Sequence, residues 1–181
     1  MEPIRELYDE YFAGPMSSIV FQEMRESRSL AYSAWAGMTA PAKAGRPYLY
    51  RTQIATQNDK LLDAIAAFDE IINDMPRSQA AYDIALGGLE ARLRTERCIN
   101  DDIAFKYLDA KDYGYDHDSN ADLFKALGTT KLDDLVEYQK KHVAGRKYRY
   151  GILANPENID IKALEKLGKV VILTTEDIFG Y

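Results

Sequence analysis

The feature that most constrains the fold of this chain is a run of apolar residues with helical spacing that directly follows two strand-like segments. The apolar positions of this run recur at steps of four and three, as on one buried helix face. They are Leu61, Ile65, Phe68, Ile72 and Met75. Residues 30–38 and 47–57 are rich in aromatic and β-branched residues, and the connector TAPAKAGR holds the Pro and Gly of a loop. The pattern predicts an antiparallel strand pair followed by a helix that buries Ile65, Phe68 and Ile72.

Two short helices are expected before the strands. The segment MEPIRELYDEYFAG carries apolar residues at helical spacing from its start. The stretch AGPMSS interrupts that pattern, and Ser17 or Ser18 can cap a second helix that runs to about Arg28. The N-terminal half therefore begins with helices and continues with strands.

Further helices are expected after Pro76, which ends the long apolar run. Ser78 begins one of them, and its Gly87-Gly88 pair predicts either a kink or a closely packed neighbour. Short polar helices are predicted at about 101–112, 119–127 and 131–143, and SNAD and TKLD resemble capping boxes for the last two. Their polarity predicts that they lie on the outside.

The C-terminal part predicts two more strands around a helix. KYRYGILA and VVILTT suggest strands near 147–154 and 170–174, and IDIKALEKLG suggests a helix that Gly168 closes. Strands and helices that do not alternate strictly favour an α+β fold, with helices packed on a largely antiparallel sheet of these four strands. We expect a single domain over residues 1–181.

The charge balance argues against nucleic acid as a partner. Lys and Arg number 23 against 29 Asp and Glu, a formal net charge of −6, whereas nucleic-acid binding draws on clustered cations. The basic stretch KKHVAGRKYR begins where a helix is predicted to end, and cations there complement the helix dipole. No stretch approaches the roughly 20 apolar residues of a membrane span.

Residues for metal or nucleophilic chemistry are scarce. The histidines are His117 and His142, outside any HxxEH, HExxH or HxH pattern, and Cys98 is the single cysteine. YDHDSN around His117 could hold a metal, although its aspartates suit a turn and a helix cap. No GxSxG elbow or phosphate loop is visible. We therefore expect no metal-binding or cofactor-binding residue in this chain.

The segment EMRESRSLAY places a cation and a phenol on the two sides of a helix-to-strand switch. Arg25 falls in the last turn of the predicted helix, and Tyr32 falls in the strand, on the face of Leu30 and Ala34. A guanidinium and a phenol that converge can both donate to a carbonyl that acquires negative charge. The alternative is structural, since an arginine late in a helix often serves the dipole and a strand tyrosine often packs.

The segment GPMSSIVFQEMRESRSLAYSAWAG resembles the second-half domain of the pitrilysin/insulinase family, the zinc peptidases with an inverted HxxEH motif. The resemblance continues through KLLDAIAAFDEIINDMP, LRTER and LDDLVEYQKKHV and covers nearly the whole chain. It is nearest to the bacterial zinc proteases of that family. The chain departs from the family pattern in AGPM, where a glycine-rich turn is frequent, and in Ser29, where glycine is frequent.

The resemblance implies the pitrilysin/mitochondrial-processing-peptidase-like metallohydrolase fold, in which two similar halves close around a chamber. One half carries zinc and a glutamate base, and the other supplies an arginine and a tyrosine seven residues apart. By this resemblance, Tyr32 donates to the oxyanion and Arg25 positions the substrate carbonyl. Because HxxEH is absent from residues 1–181, the chain would be a C-terminal domain that is inactive alone and lacks its first strands.

The partners that the resemblance implies are a peptide or unfolded protein substrate and a zinc-bearing half, in the same polypeptide or in a separate subunit. Zinc would belong to that complementary half. The compartment stays open between bacterial cytoplasm and periplasm. Two alternatives stay open as well: a non-catalytic scaffold subunit of the same fold, and a free-standing module that binds peptide as an added strand, which requires an exposed sheet edge.

Overall fold

The computed structural model of the chain describes residues 3–14 and 16–181. The expected helix start at Met1, and the proline of the AGPMSS interruption, Pro15, lie outside the described residues. Within those residues, no helix combines the length and apolar character of a membrane span.

The fold is α+β, as the sequence predicted. The strands are β1 Ala31–Thr39 and β2 Leu49–Thr56. The helices are α1 Pro3–Tyr8, α2 Ile19–Phe21, α3 Leu61–Asn73, α4 Gln79–Thr95, α5 Asn100–Asp112, α6 Ser119–Leu127, α7 Leu132–His142, α8 Ile161–Glu165 and α9 Thr175–Phe179. π-helical turns, Asp9–Ala13 and Gln22–Ser27, extend α1 and α2, and 3₁₀ turns occur at Asn58–Lys60 and Pro156–Asn158.

The sheet of the described residues is an antiparallel pair of β1 with β2. The register runs from Ala31 opposite Thr56 to Thr39 opposite Leu49. It shifts between Ala31 and Ser33, where β1 contains one residue more than β2. Such a β-bulge bends a strand and redirects the side chain at the extra position, which here is Tyr32.

The predicted strands at 147–154 and 170–174 are not formed. Both segments form neither helix nor strand, and they belong to no sheet of the described residues. Residues such as Ile172, 65% exposed, have the β-branched character of a strand. The prediction was wrong because β propensity makes a segment suitable for a sheet, whereas a strand also needs a neighbouring strand.

The core forms around α1. Leu7, Tyr8, Tyr11 and Phe12 are fully buried, in the helical register that the sequence predicted. The Tyr8 hydroxyl donates to Oε1 of buried Gln139 at 3.0 Å. These contacts fix α1 as the central element of the helical layer.

Gln139 connects α7 to the end of α3. Its Nε2 donates to the carbonyl oxygens of Ile71 and Ile72 at 2.8 and 2.7 Å. Buried faces of α6 and α7, including Leu123 and Leu135, also join the core. The expected outside position therefore holds for α5, which buries no residue, but not for α6 and α7.

The other predicted helices form with small differences. In α3, Phe68 and Ile72 are buried, whereas Ile65 is half-buried. Ser78 caps α4 by accepting from the Ala81 N–H at 3.2 Å. Helix α4 continues through the glycine pair, and no neighbour among the described residues packs closely against it, since an added Cβ at Gly88 would meet its nearest atom, Glu10 Oε1, only at 4.0 Å.

Candidate functional site

The local structure of the α2 segment positions Arg25. The Ser18 side chain caps the helix by accepting from the Phe21 N–H at 3.4 Å. The following turn, Gln22–Ser27, is π-helical, and the Arg28 N–H donates to the Glu23 carbonyl at 3.2 Å. A π-turn holds one residue more than an α-turn, and such turns are frequent at functional sites. Arg25 lies within this widened turn.

A left-handed residue ends the helix and turns the chain into β1. Ser29 has φ of +49°, a conformation that glycine adopts at little cost and other residues adopt at a penalty. The Leu30 N–H then donates to the Met24 carbonyl at 2.9 Å. The frequent glycine of the resembled family at this position therefore has a conformational reason.

Three side chains attach this bend to neighbouring elements. The Thr56 hydroxyl donates to the Leu30 carbonyl at 2.6 Å, and Lys60 Nζ donates to the Ser29 carbonyl at 3.1 Å. Arg28 donates to both carboxylate oxygens of Glu70 on α3, at 2.8 and 2.9 Å. The Glu70 carboxylate raises the pKa of Arg28, and the Arg28 guanidinium lowers the pKa of Glu70.

Tyr32 projects away from the protein. Strict strand alternation placed it on the face of Leu30 and Ala34, of which Leu30 is buried and Ala34 half-buried. Instead its side chain is 84% exposed, because the bulge removes it from the alternation. The sequence predicted the strand but could not show the bulge.

The structure brings Arg25 and Tyr32 together. The guanidinium carbon of Arg25 lies 5.2 Å from the centre of the Tyr32 ring and 4.8 Å from the centre of the Phe21 ring. Both distances are within the range of a cation–π interaction. Sequence reasoning missed Phe21, although it lies four residues before Arg25 and hence on the same helix face.

Both side chains keep donors for a ligand. The nearest carboxylate oxygen to Arg25 is Oε1 of Glu26, 3.6 Å from Nε, and an exposed ion pair of this kind holds a cation weakly. Among the described residues, no hydrogen bond to the Tyr32 hydroxyl is formed. The guanidinium N–H groups and the phenol O–H are thus available as hydrogen-bond donors beside each other.

A second polar cluster lies where α1 meets β1. The Asp9 carboxylate accepts from Arg5 Nη1 at 2.8 Å and from the Met38 N–H at 3.2 Å. Burial raises the pKa of Asp9 to about 6, against the opposing effect of Arg5. This cluster borders a cleft of about 460 Å³ in which Arg92 pairs with Glu6 at 2.7 Å. Since its charges pair with one another, we assign this cluster a structural role.

The candidate metal ligands do not assemble. In the described part of the chain, no three His, Cys, Asp or Glu side chains lie close enough to hold a metal ion. His117 contacts the carboxylates of Asp116 and Asp122 at 2.7 and 2.9 Å, and these hydrogen bonds raise its pKa. Cys98 is an exposed thiol. The residues described here do not fit a zinc site.

Comparison with known proteins identifies the fold but not the family. No protein-family model matches the chain, and none of the curated proteins matches it by sequence. The chain is similar to the crystal structure of a peptidase M16 inactive domain from Pseudomonas fluorescens, with a TM-score of 0.64 and 17% identity. The likeness is one of fold. It covers 78% of this chain and 34% of that chain, so this protein spans about a third of the matched structure.

Proposed function

We propose that this chain is the substrate-binding half of a zinc metalloendopeptidase and supplies Arg25 and Tyr32 to a zinc site on another half. The supporting observation is the highly exposed Tyr32 residue, whose ring centre lies 5.2 Å from the guanidinium carbon of Arg25. Both groups have open donors. They project from a bend that hydrogen bonds and the Arg28–Glu70 pair attach to the core.

The chemistry of peptide hydrolysis fits these two donors. Attack on a peptide carbonyl places negative charge on its oxygen, and preorganised donors lower the barrier by stabilising that charge. We assign the oxyanion hydrogen bond to the Tyr32 O–H. The Arg25 guanidinium positions the same carbonyl, and its two flanking rings restrict its orientation.

The comparison supports a non-catalytic half. The similar domain from Pseudomonas fluorescens is described as an inactive domain of a peptidase M16. Since the described residues of this chain do not fit zinc, the metal and the base belong, in this proposal, to a complementary half. That half and a peptide or unfolded protein are the proposed partners.

The deciding experiment combines this chain with its zinc-bearing half and measures turnover of a fluorogenic peptide. Tyr32→Phe removes the hydroxyl and keeps the ring, so kcat should fall about 10²- to 10³-fold while KM changes little. Tyr181→Phe is the matched control, because Tyr181 is also a highly exposed tyrosine. It should leave kcat unchanged.

Two results would contradict the proposal. If Tyr32→Phe and Arg25→Ala both kept kcat/KM within about a factor of two, the pair would be structural. If the two halves assembled but cleaved no peptide with zinc bound, the scaffold alternative would hold. Circular dichroism of each variant confirms that lost turnover does not reflect lost folding.

A further inference from the structure

The ring of Phe21 lies against the guanidinium of Arg25. The guanidinium carbon is 4.8 Å from the centre of the Phe21 ring and 5.2 Å from the centre of the Tyr32 ring. Among the described residues, Arg25 is the one cation whose side chain lies over two rings. Two such contacts limit the rotamers of a long side chain more than one contact does. The rings therefore restrain where the guanidinium lies.

Arg28, three residues further along the chain, is held in a different way. It donates to both carboxylate oxygens of Glu70 at 2.8 and 2.9 Å. A carboxylate binds the in-plane N–H groups of a guanidinium and occupies them, whereas a ring contacts the face and leaves those groups free. Arg28 is thus fixed through its donors, whereas Arg25 is restrained through its face and keeps its donors.

The carboxylate beside Arg25 does not replace the rings. Glu26 Oε1 lies 3.6 Å from Arg25 Nε, which is longer than a hydrogen bond, and both side chains are partly exposed to solvent. A solvent-exposed ion pair of this kind restrains a side chain weakly, because water and salt screen it. The two rings therefore provide the main restraint on the guanidinium.

Phe21 is the better fixed of the two rings. Its N–H donates to Oγ of buried Ser18 at 3.4 Å, in the cap of the helix. Phe21 itself is half-buried, and its neighbour Val20 is fully buried. Tyr32, in contrast, is 84% exposed. A ring on a capped and anchored helix has less freedom than an exposed ring, so Phe21 is the fixed surface against which Arg25 packs.

Core packing does not account for Phe21. The buried core of the described residues includes Ile19, Val20 and Met24 from this segment, but not Phe21. Phe21 is not among the partly buried apolar residues that pack against that core either. It precedes Arg25 by four residues, and residues with this spacing are neighbours on a helix surface. The contact with Arg25 is therefore the interaction that gives the Phe21 ring a role.

We propose that Phe21 is the positioning residue for Arg25, because its ring holds the guanidinium beside Tyr32 while the N–H groups stay free. The importance of this placement for turnover rests on the proposed function. The placement itself rests on the two ring contacts and on the weak contact with Glu26. In this proposal Phe21 contacts neither substrate nor zinc and acts only through Arg25.

The first test measures the mobility of the Arg25 side chain by NMR, as the order parameter of its Nε–H group in the chain on its own. Phe21→Leu removes the ring and keeps an apolar side chain, so the order parameter should fall. Phe124→Leu is the matched control, because the guanidinium carbon of Arg94 also lies 4.8 Å from the Phe124 ring centre. It should leave Arg25 unchanged. An unchanged order parameter of Arg25 in folded Phe21→Leu would overturn the proposal.

The second test measures turnover of the reconstituted halves. Phe21→Leu should lower kcat about 3- to 10-fold with little change in KM, because the guanidinium is present but less often in place. Phe21→Tyr keeps the ring and should restore kcat, and Phe124→Leu should leave it unchanged. If Phe21→Leu does not fold, Phe21→Met gives the same comparison, since its flexible side chain fills irregular space without a ring. Normal kcat in the folded ringless variant, with low kcat in Arg25→Ala, would overturn the proposal.

A double variant shows whether Phe21 acts through Arg25. In the Arg25→Ala background, Phe21→Leu should cause no further loss of kcat, because the side chain that Phe21 positions is gone. Additive losses would overturn the proposal, since Phe21 would then act independently of Arg25. Circular dichroism of each variant confirms that the compared proteins are folded.

The same measurements separate this proposal from the proposed function. A mobile Arg25 in Phe21→Leu, together with normal turnover of Tyr32→Phe and Arg25→Ala, would contradict the proposed function and leave the placement of Arg25 by Phe21 intact. Low turnover of Tyr32→Phe, together with an unchanged Arg25 order parameter in Phe21→Leu, would contradict the role of Phe21 alone.

Discussion

Arg28 binds Glu70 through two parallel hydrogen bonds, from Nη1 and Nη2 to the two carboxylate oxygens, at 2.8 and 2.9 Å. This geometry separates the roles of two arginines that lie three residues apart. Arg28 is engaged by α3 and by Glu23, so it fixes the end of the π-helical turn. Arg25, on the same turn, contacts two rings and keeps its donors available.

Substitution of Arg25 should reduce turnover in the assembled enzyme. Arg25→Ala should lower kcat/KM by about 10²-fold, and Arg25→Lys should restore only part of that loss, because an ammonium lacks the planar guanidinium. Steady-state kinetics of the reconstituted halves is the measurement. Arg97→Ala, at an exposed position, should have no effect. Full activity of Arg25→Ala would contradict the assigned role.

Ser29→Gly should stabilise the protein. Ser29 is exposed and has φ of +49°, a left-handed conformation that carries a steric penalty for serine but not for glycine. Glycine also gains conformational entropy in the unfolded chain, which offsets part of the stabilisation. We expect a net increase of about 0.5–1 kcal/mol in the free energy of unfolding, measured with urea. Ser27→Gly, in the helical turn, should instead destabilise. A lower stability for Ser29→Gly would show that the left-handed conformation is not strained.

Phe68→Ala should strongly destabilise the protein. Phe68 is buried in α3, and removal of its ring leaves a cavity, so the free energy of unfolding should fall by about 3–5 kcal/mol. Ile65→Ala should cost less, because Ile65 is only half-buried. Chemical denaturation of both variants shows which of the two loses more stability. Equal losses would mean that the buried face of α3 is centred elsewhere.

Asp9 should make stability depend on pH. Its pKa rises from 3.8 to about 6 on folding, so between these values the folded state holds more protons than the unfolded state. Stability from this group is therefore greatest below about pH 4 and falls as pH rises to about 6, by about 3 kcal/mol at most. Asp9→Asn should remove this dependence in denaturation curves from pH 4 to 7. If the free energy of unfolding of Asp9→Asn changed with pH in the same way as that of the unchanged protein, the assigned pKa would be wrong.

The isolated chain should bind no stoichiometric zinc. His117 is hydrogen-bonded by two aspartates, and the His142 ring contacts the Tyr138 ring at 4.6 Å, so the two imidazoles are engaged by different neighbours. A tetrahedral site needs four ligands from nitrogen, sulfur or oxygen. Elemental analysis after dialysis against zinc and then buffer is the measurement. About one zinc ion per chain would contradict this expectation.

The sequence alone determined the local elements. Apolar spacing predicted α1 and α3, Ser18 and Ser78 predicted helix starts, and residues 30–38 and 47–57 predicted the strand pair. These features depend on interactions between residues close in the chain, and local patterns record such interactions. The spacing of Arg25 and Tyr32 across the bend was visible for the same reason.

Only the tertiary structure decided which segments pair and which faces are buried. KYRYGILA and VVILTT have strand composition but no strand partner among the described residues, whereas polar α7 enters the core through Gln139. The bulge that exposes Tyr32 and the Arg28–Glu70 pair join residues far apart in sequence. Pairing and burial are relations between distant segments, so no local pattern could have specified them.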